Sequence, residues 1–158
     1  MNFEVETKYT LDEYKKFNQV VLDIIYSGRK RKIIIIIVCM LTIVGLVAFK
    51  MYSSAVIAFI VYAALFYLEK KGNNKAINDA WESNELMKNA VYHYKFSEDK
   101  VEATSPKGLE ILEYDKMYRL IETDTNFYMM IAKNVGFIIL KANMTKEQIE
   151  FVRGLEKK

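Results

Sequence analysis

Few side chains in this sequence have the types and spacing that chemistry requires. The chain has one cysteine, Cys39, inside an apolar segment, and one histidine, His93, inside a segment with strand-like alternation. A lone cysteine forms neither an intramolecular disulfide nor a cysteine-based metal site, and a lone histidine in a strand is usually packed or on the surface. The sequence contains no glycine-rich phosphate loop and no pair of histidines at helical spacing. We therefore predict no catalytic, cofactor-binding or metal-ligating residue, and no enzyme activity.

Charged and aromatic residues in the C-terminal half indicate structure rather than chemistry. Residues 88–158 carry 12 lysines and arginines against 11 acids, a near-neutral balance that argues against nucleic-acid binding. Nothing fixes Glu110, Glu113 and Asp115 as a general acid and base, so we interpret them as solvated charges. Six aromatic residues alternate in predicted strands, and we expect them in a core rather than on a base-stacking platform. These are Tyr92, Tyr94, Phe96, Phe127, Tyr128 and Phe137.

The candidate binding residues are basic side chains on both sides of the longest apolar block. They are Arg29, Lys30, Arg31 and Lys32 before the block, and Lys70 and Lys71 after it. Cations beside a membrane segment can bind anionic lipid, at about 1 kcal/mol each. Four contiguous cations also suffice to set membrane topology, and this is the interpretation we favour.

The apolar block predicts two membrane spans, at residues 33–49 and 51–68, separated by Lys50 alone. At about 1.5 Å per residue, each run can just cross a hydrocarbon core of about 30 Å. One continuous helix would be too long, so we place a turn at residues 50–54 and a transmembrane hairpin at residues 29–71. A buried hairpin of a soluble protein would keep a polar stripe, which residues 33–38 lack. A cleaved signal peptide is not expected, because a second span follows the first.

The flanking charges predict the orientation of these spans. With Lys75, seven cations flank the hairpin and one lies in its turn. The positive-inside rule then places both termini in the cytoplasm, in a two-span protein of the cell membrane. Neither span contains an ionisable residue, so we do not expect a transporter or pump built from this chain alone. Gly45, Ser54 and Ala58 would allow close helix contact within the hairpin or between copies.

Residues 1–28 predict a strand followed by an amphipathic helix. Alternation over residues 2–9 has the period of a half-buried strand, and Thr10 with Glu13 matches a capping box at a helix start. Apolar residues then recur at helical spacing, at Leu11, Tyr14, Phe17, Val21, Ile24 and Ile25. This stripe could pack on the C-terminal domain or lie along the bilayer, and the pattern does not separate the two.

Residues 72–158 predict a β-rich cytoplasmic domain that ends in a helix. Helix formers at residues 69–88 indicate that the second span continues as a helix, with Trp81 packed on this domain. Six short strands separated by turn-forming residues indicate antiparallel hairpins. They are at residues 91–96, 100–104, 109–114, 117–122, 127–132 and 136–141. Thr145 and Gln148 form a second capping box, which starts a C-terminal helix.

This order of elements resembles the YcxB-like family of small bacterial membrane proteins. The resemblance rests on residues 113–124, 126–131 and 136–141, which are similar to a strand, an acidic turn, an aromatic strand and an apolar strand before a short helix. The resemblance implies that the C-terminal domain has a divergent pleckstrin-homology (PH)-like fold. It implies no catalytic residues.

The expected class is therefore an α+β membrane protein, with a two-helix transmembrane hairpin and an antiparallel PH-like β domain. Our first hypothesis is a membrane-anchored, non-enzymatic binding module at the inner face of the cell membrane. One alternative is an immunity protein that protects the cell against a membrane-active peptide toxin, and another is an accessory subunit of a membrane complex. The expected partners are the lipid bilayer and either another membrane protein or further copies of the chain.

Overall fold

The computed structural model describes residues 1–88 and 90–155 of the chain, which form seven strands and four α-helices. The strands are β1 Phe3–Lys8, β2 Val91–Phe96, β3 Lys100–Ser105, β4 Gly108–Glu113, β5 Arg119–Glu122, β6 Asn126–Ala132 and β7 Val135–Leu140. The helices are α1 Leu11–Val20, α2 Gly28–Ala48, α3 Tyr52–Glu82 and α4 Lys146–Gly154. Two long apolar helices, antiparallel sheets and a C-terminal helix confirm the α+β class.

The chain divides into two compact units. One, here called the β-rich unit, joins residues 1–18 to the chain from Trp81 onward, and the other, the helical unit, is Gln19–Ala80. The sequence pattern predicts domain boundaries after residues 28 and 71. The N-terminal residues instead join the C-terminal part in one unit, because β1 pairs with β2. The helical unit is thus inserted between two paired strands.

Two antiparallel sheets make up the strands of the β-rich unit. The first has the order β1-β2-β3-β4 and the second the order β5-β6-β7. In the first sheet Val5 lies opposite Tyr94, although the helical unit separates them in the chain. The predicted strand ends are confirmed within one residue, except that β5 starts at Arg119, two residues after the predicted Met117. Residues Tyr114–Lys116 form a 3-10 turn, and Met117 and Tyr118 connect that turn to β5.

Strand β6 forms the centre of the second sheet and is buried along most of its length. Residues 126–130 are all buried, so both faces of the strand are covered and its apolar residues do not alternate with polar ones. The pairing of β6 with β7 shifts by one residue between Met130 and Ala132. A Cβ on Gly136 would lie 2.7 Å from the carbonyl oxygen of Met129, so only glycine fits beside this bulge.

Helix α1 packs on the second sheet. The ring of Phe17 lies 5.8 Å from that of Tyr128 on β6. Of the two alternatives for the apolar stripe of α1, the part up to Phe17 therefore packs on the β-rich unit. The predicted capping box is only half present. The Glu13 N–H donates to Thr10 Oγ1 at 3.3 Å, but the Glu13 carboxylate accepts hydrogen bonds from Lys16 and from the fully buried Asn126.

Two buried tyrosines join the two sheets. The Tyr9 hydroxyl lies 3.0 Å from the Tyr94 hydroxyl and accepts a hydrogen bond of 3.0 Å from the N–H of Ile138 on β7. Burial raises the pKa of both phenols above the ordinary tyrosine value, so both stay neutral at physiological pH. Among the six aromatic residues predicted in the core, Tyr92 is the most exposed at 7%, and the prediction is confirmed.

The C-terminal helix α4 is attached to β5 by an ion cluster. The predicted capping box is present at its start, with Thr145 and Gln148 each accepting a backbone hydrogen bond from the other. Glu122 accepts hydrogen bonds from Arg153 of α4, at 2.6 and 2.9 Å, and from Lys141 at 2.6 Å. The bonds from Arg153, and then those from Lys141, lower the pKa of the Glu122 carboxyl to about 2.

The helical unit contains α2 and most of α3, joined by a tight turn. Lys50 has a left-handed φ of 58°, its N–H bonds to the Val47 carbonyl at 2.9 Å, and the Met51 N–H bonds to the Leu46 carbonyl at 2.8 Å. This is a Schellman motif with lysine at the position that glycine usually occupies. The predicted turn at residues 50–54 was too long, because one left-handed residue reverses the chain and Ser53 and Ser54 already lie in α3.

Helices α2 and α3 are long and apolar enough to span a membrane. Their most apolar 18-residue windows have mean hydropathies of 2.4 and 1.6, and only 6% of each window is buried within the protein. The predicted extension of the second apolar run into a longer helix is confirmed, since α3 continues to Glu82. Trp81 at its end is 5% exposed and lies 5.6 Å from the ring of Tyr14, as predicted for a residue packed on the β-rich unit.

We predict that Tyr9→Phe lowers the free energy of unfolding by about 1–3 kcal/mol, because it leaves the Ile138 N–H and the Tyr94 hydroxyl buried without their partner. Thermal or denaturant unfolding of the purified full-length protein measures the change. Tyr118→Phe is the matched control, since Tyr118 is 49% exposed, and it should change stability by less than about 0.5 kcal/mol. Equal effects of the two substitutions would contradict the proposed role of the tyrosine pair.

We also predict a loss of stability at acidic pH that depends on Glu122. Because its pKa is about 2 in the folded protein against 4.5 ordinarily, the stabilisation is present above pH 4.5 and disappears as the pH falls towards 2. The carboxylate is partly exposed, so we expect a loss of about 1 kcal/mol. Unfolding should therefore depend less on pH between 4.5 and 2 in Glu122→Gln than in the parent, while Glu98→Gln, at a side chain that is 88% exposed, should behave like the parent.

Candidate functional site

The four basic residues 29–32, here called the basic cluster, come directly after a tight turn of the backbone. One π-helical turn at Val21–Ile25 precedes it, and Ser27 then takes a left-handed φ of 54° as the residue before α2. A Cβ on Gly28 would lie 2.5 Å from the carbonyl oxygen of Leu22, so glycine is required where the chain turns back on itself. This turn starts α2 one residue before Arg29 and places four cations in its first turns.

The structure brings cations of both helices together. Arg31 of α2 lies 3.6 Å from Glu69 of α3, and Lys32 lies 3.5 Å from Asp23 in the preceding π-helical turn. Two neighbouring clefts lie at this point, with volumes of about 290 and 310 Å³. Arg31 lines the first cleft, Lys70 lines the second, and Lys32 and Glu69 line both. The two flanks of the apolar block, distant in sequence, therefore form one polar end of the helical unit.

The other predicted site residues are exposed on the same helices. Arg29 and Lys30 lie in the first turn of α2, and Lys71 follows Lys70 on α3. In the parts of the chain that the structure describes, none of these three side chains forms an ion pair. The first turn of α2 contains no acidic residue, so its cations lie at the positive end of the helix macrodipole. Each cation there costs about 0.3–1 kcal/mol unless an anion lies nearby.

Several polar residues of this site were not among those predicted from the sequence. Glu69 and Asp23 pair with the cations, and Gln19 and Asn73 line the same clefts. The sequence signal for Glu69 was its place between an apolar run and two lysines. Asp23 gave no such signal, since it lies nine residues before Lys32 and is brought to it only by the turn at Gly28.

A third cleft, in the β-rich unit, is lined mainly by aromatic and apolar side chains. Tyr9, Tyr14, Phe17, Tyr92 and Phe137 contribute to its walls, and its volume is about 230 Å³. Sites for drug-sized ligands usually hold about 300–1,000 Å³, so this cleft is below the usual size of a small-molecule site.

The side chains predicted to do no chemistry are separate from one another. His93 is 64% exposed and lies 4.0 Å from Glu6 on the neighbouring strand, and Cys39 is buried in the helical unit. Over residues 1–88 and 90–155, no group of three histidine, cysteine or acidic side chains is arranged to hold a metal ion.

Comparison with known proteins connects the C-terminal part of the chain to one family. A family model described as YcxB-like protein matches residues 96–155. The matched region runs from the end of β2 to the end of α4 and includes the strands on which the resemblance was based. No curated protein and no solved structure matches the chain. Residues 96–155 of this chain are therefore similar to the YcxB-like protein family.

Proposed function

We propose that this protein is a membrane-anchored, non-enzymatic binding module at the inner face of the cell membrane. The observation that carries the proposal is the apolar surface of α2 and α3, of which only 6% is buried in the most apolar windows. Fully burying one large aliphatic side chain is worth about 1.5–3 kcal/mol, so leaving this many in water would be very costly. A bilayer removes that cost, since α2 at about 1.5 Å per residue matches a hydrocarbon core of about 30 Å.

The orientation proposed for the hairpin has both termini in the cytoplasm. The ion pair between Arg31 and Glu69 supports this orientation, because it holds the cations before the first span and those after the second span at the same end of the hairpin. Lys50 is the single charge at the opposite end. Seven cations against one agree with the positive-inside rule.

The binding part of the module would be the β-rich unit, for which we propose the PH-like fold implied by the family resemblance. A four-stranded and a three-stranded antiparallel sheet followed by α4 are compatible with it. The unit combines a buried apolar core with an open edge at β4, whose Leu109 and Ile111 are exposed. A ligand that is a protein surface fits these features better than a small molecule does.

The basic end of the helical unit would contact anionic lipid headgroups. Cations at the start of α2 oppose the helix macrodipole, and a phosphate beside them would remove that cost and add about 1 kcal/mol per cation. The clefts beside Arg31, Lys32 and Lys70 offer room for such a phosphate. Setting topology and binding lipid would then use the same side chains.

The topology is tested by labelling single cysteines in a Cys39→Ser background. We expect Lys50→Cys to react with a membrane-impermeant maleimide in intact cells, and Asn74→Cys to react only after the membrane is permeabilised. The protein should also remain in the membrane fraction after an alkaline carbonate wash and leave it in detergent. Recovery in the soluble fraction, or the reverse labelling pattern, would rule out the proposed hairpin.

Lipid contact is tested by thermal unfolding in detergent micelles that contain either phosphatidylglycerol or phosphatidylcholine. We expect phosphatidylglycerol to raise the melting temperature of the parent more than phosphatidylcholine does. Changing Arg29, Lys30, Lys70 and Lys71 together to glutamine should remove most of that difference. The matched control changes four exposed lysines of the β-rich unit to glutamine, at Lys8, Lys95, Lys133 and Lys146, and should keep it. An equal loss in both variants would mean that net charge alone matters.

A further inference from the structure

We propose that β4 pairs antiparallel with the β4 strand of a second copy of this chain, about a two-fold axis at Glu110. This inference goes beyond the proposed membrane anchoring and does not depend on it. It concerns the open edge of the first sheet, whose strand order ends with β4.

Within residues 1–88 and 90–155, one set of backbone hydrogen-bonding groups on β4 has no partner. In an antiparallel pair, residues alternate between those that bond to the neighbouring strand and those that point away from it. The Tyr114 N–H bonds to the Asp99 carbonyl at 2.9 Å, one step past the ladder and in the same register as the β3–β4 pairs. Gly108, Glu110 and Leu112 therefore point their backbone groups at β3. Those of Leu109, Ile111 and Glu113 point to the open edge.

The side chains of this strand leave it unprotected. Leu109 is 59% exposed and Ile111 is 54% exposed, both on the outer face, while Leu112 on the inner face is 4% exposed. Natural sheets usually blunt an open edge with a short strand, a bulge, a proline or a lysine within it. Strand β4 has six residues without a proline or a lysine, and its register with β3 is regular throughout. Such an edge is suited to pairing with another strand.

The sequence of the edge is complementary to itself in one register. With Glu110 on the axis, Leu109 lies opposite the partner's Ile111, and Lys107 lies opposite the partner's Glu113. Each apolar pair would exchange both of its free backbone bonds, and each charged pair has opposite signs. A register shifted by two residues would instead place Leu109 opposite the partner's Glu113, and Lys107 opposite an acid, Asp115, that lies outside the strand in the Tyr114–Lys116 turn. The two apolar pairs are thus flanked by two pairs of opposite charge. This complementarity favours a second copy of this chain over an unrelated strand.

Two features of the chain bear on the strength of this pairing. Glu113 already forms an ion pair with Lys116, and a carboxylate can accept a second cation on its other oxygen. Glu110 would face the partner's Glu110 across the axis, and like charges in direct opposition weaken a strand pair. The association is therefore expected to be reversible, and Glu110→Gln should tighten it.

The test measures self-association of the full-length protein in detergent by sedimentation equilibrium. We expect a dimer that Lys107→Glu weakens about tenfold, since two symmetric charge pairs become repulsive. Glu113→Lys should weaken it similarly, and the double variant Lys107→Glu/Glu113→Lys should restore it. Lys95→Glu on β2 is the matched control and should have no effect. Circular dichroism confirms that each variant is folded.

Disulfide cross-linking tests the register. In a Cys39→Ala background, Glu110→Cys should form a covalent dimer on mild oxidation, because the two copies of this residue meet at the axis. Thr104→Cys, on the neighbouring strand β3, should not. A monomeric protein, a dimer that the double variant fails to restore, or a dimer without cross-linking at position 110 would overturn the proposal. A dimer insensitive to all charge reversals would assign the contact to the helical unit instead.

Discussion

The pairing of β1 with β2 is the contact on which the rest of the molecule depends. These strands lie side by side with Phe3 opposite Phe96 and Lys8 opposite Val91, and the helical unit is inserted between them in the chain. Closing a long flexible loop costs free energy that grows with the logarithm of its length. A helical hairpin reduces this cost, because it returns the chain close to where it left. The Tyr9 N–H bonds to the Ala90 carbonyl at 2.8 Å, just beyond the last β1–β2 pair.

Around this pairing, a few buried polar groups determine how the layers fit. The Tyr9 hydroxyl connects β1, β2 and β7, since it lies beside Tyr94 and accepts a bond from Ile138. Asn126, fully buried on β6, donates from its amide to Glu13 on α1 and to the Tyr128 hydroxyl at 3.0 Å. Apolar packing would allow the sheets and α1 to slide by a residue, whereas these bonds are satisfied in one arrangement. Such polar contacts contribute little net free energy when complete and are costly to break, so they select the register more than they stabilise it.

The elements that could be predicted from the sequence are those determined by neighbouring residues. Alternation marked the strands, Thr145 and Gln148 marked the start of α4, and Lys50 marked the reversal between two apolar runs. Contacts between distant residues were not predictable. The bond between Glu13 and Asn126 joins residues 113 positions apart, and local spacing gave Glu13 a capping role that its side chain does not have. At the candidate site the cations were found, because their charge contrasts with the apolar runs, but Asp23 was missed. Its contact with Lys32 depends on the turn that Gly28 permits.

The inserted position of the helical unit also has a consequence for synthesis. About 80 residues separate the end of β1 from the start of β2, and ribosomes add about 5–20 residues per second, so β1 emerges about 4–16 s before its partner exists. During that interval the first strand and α1 have no sheet to join, and both apolar helices are completed before β2 begins. The helices are therefore free to find their environment before the sheets can close. The order in which the chain is made thus favours forming the helical unit first and assembling the β-rich unit afterwards.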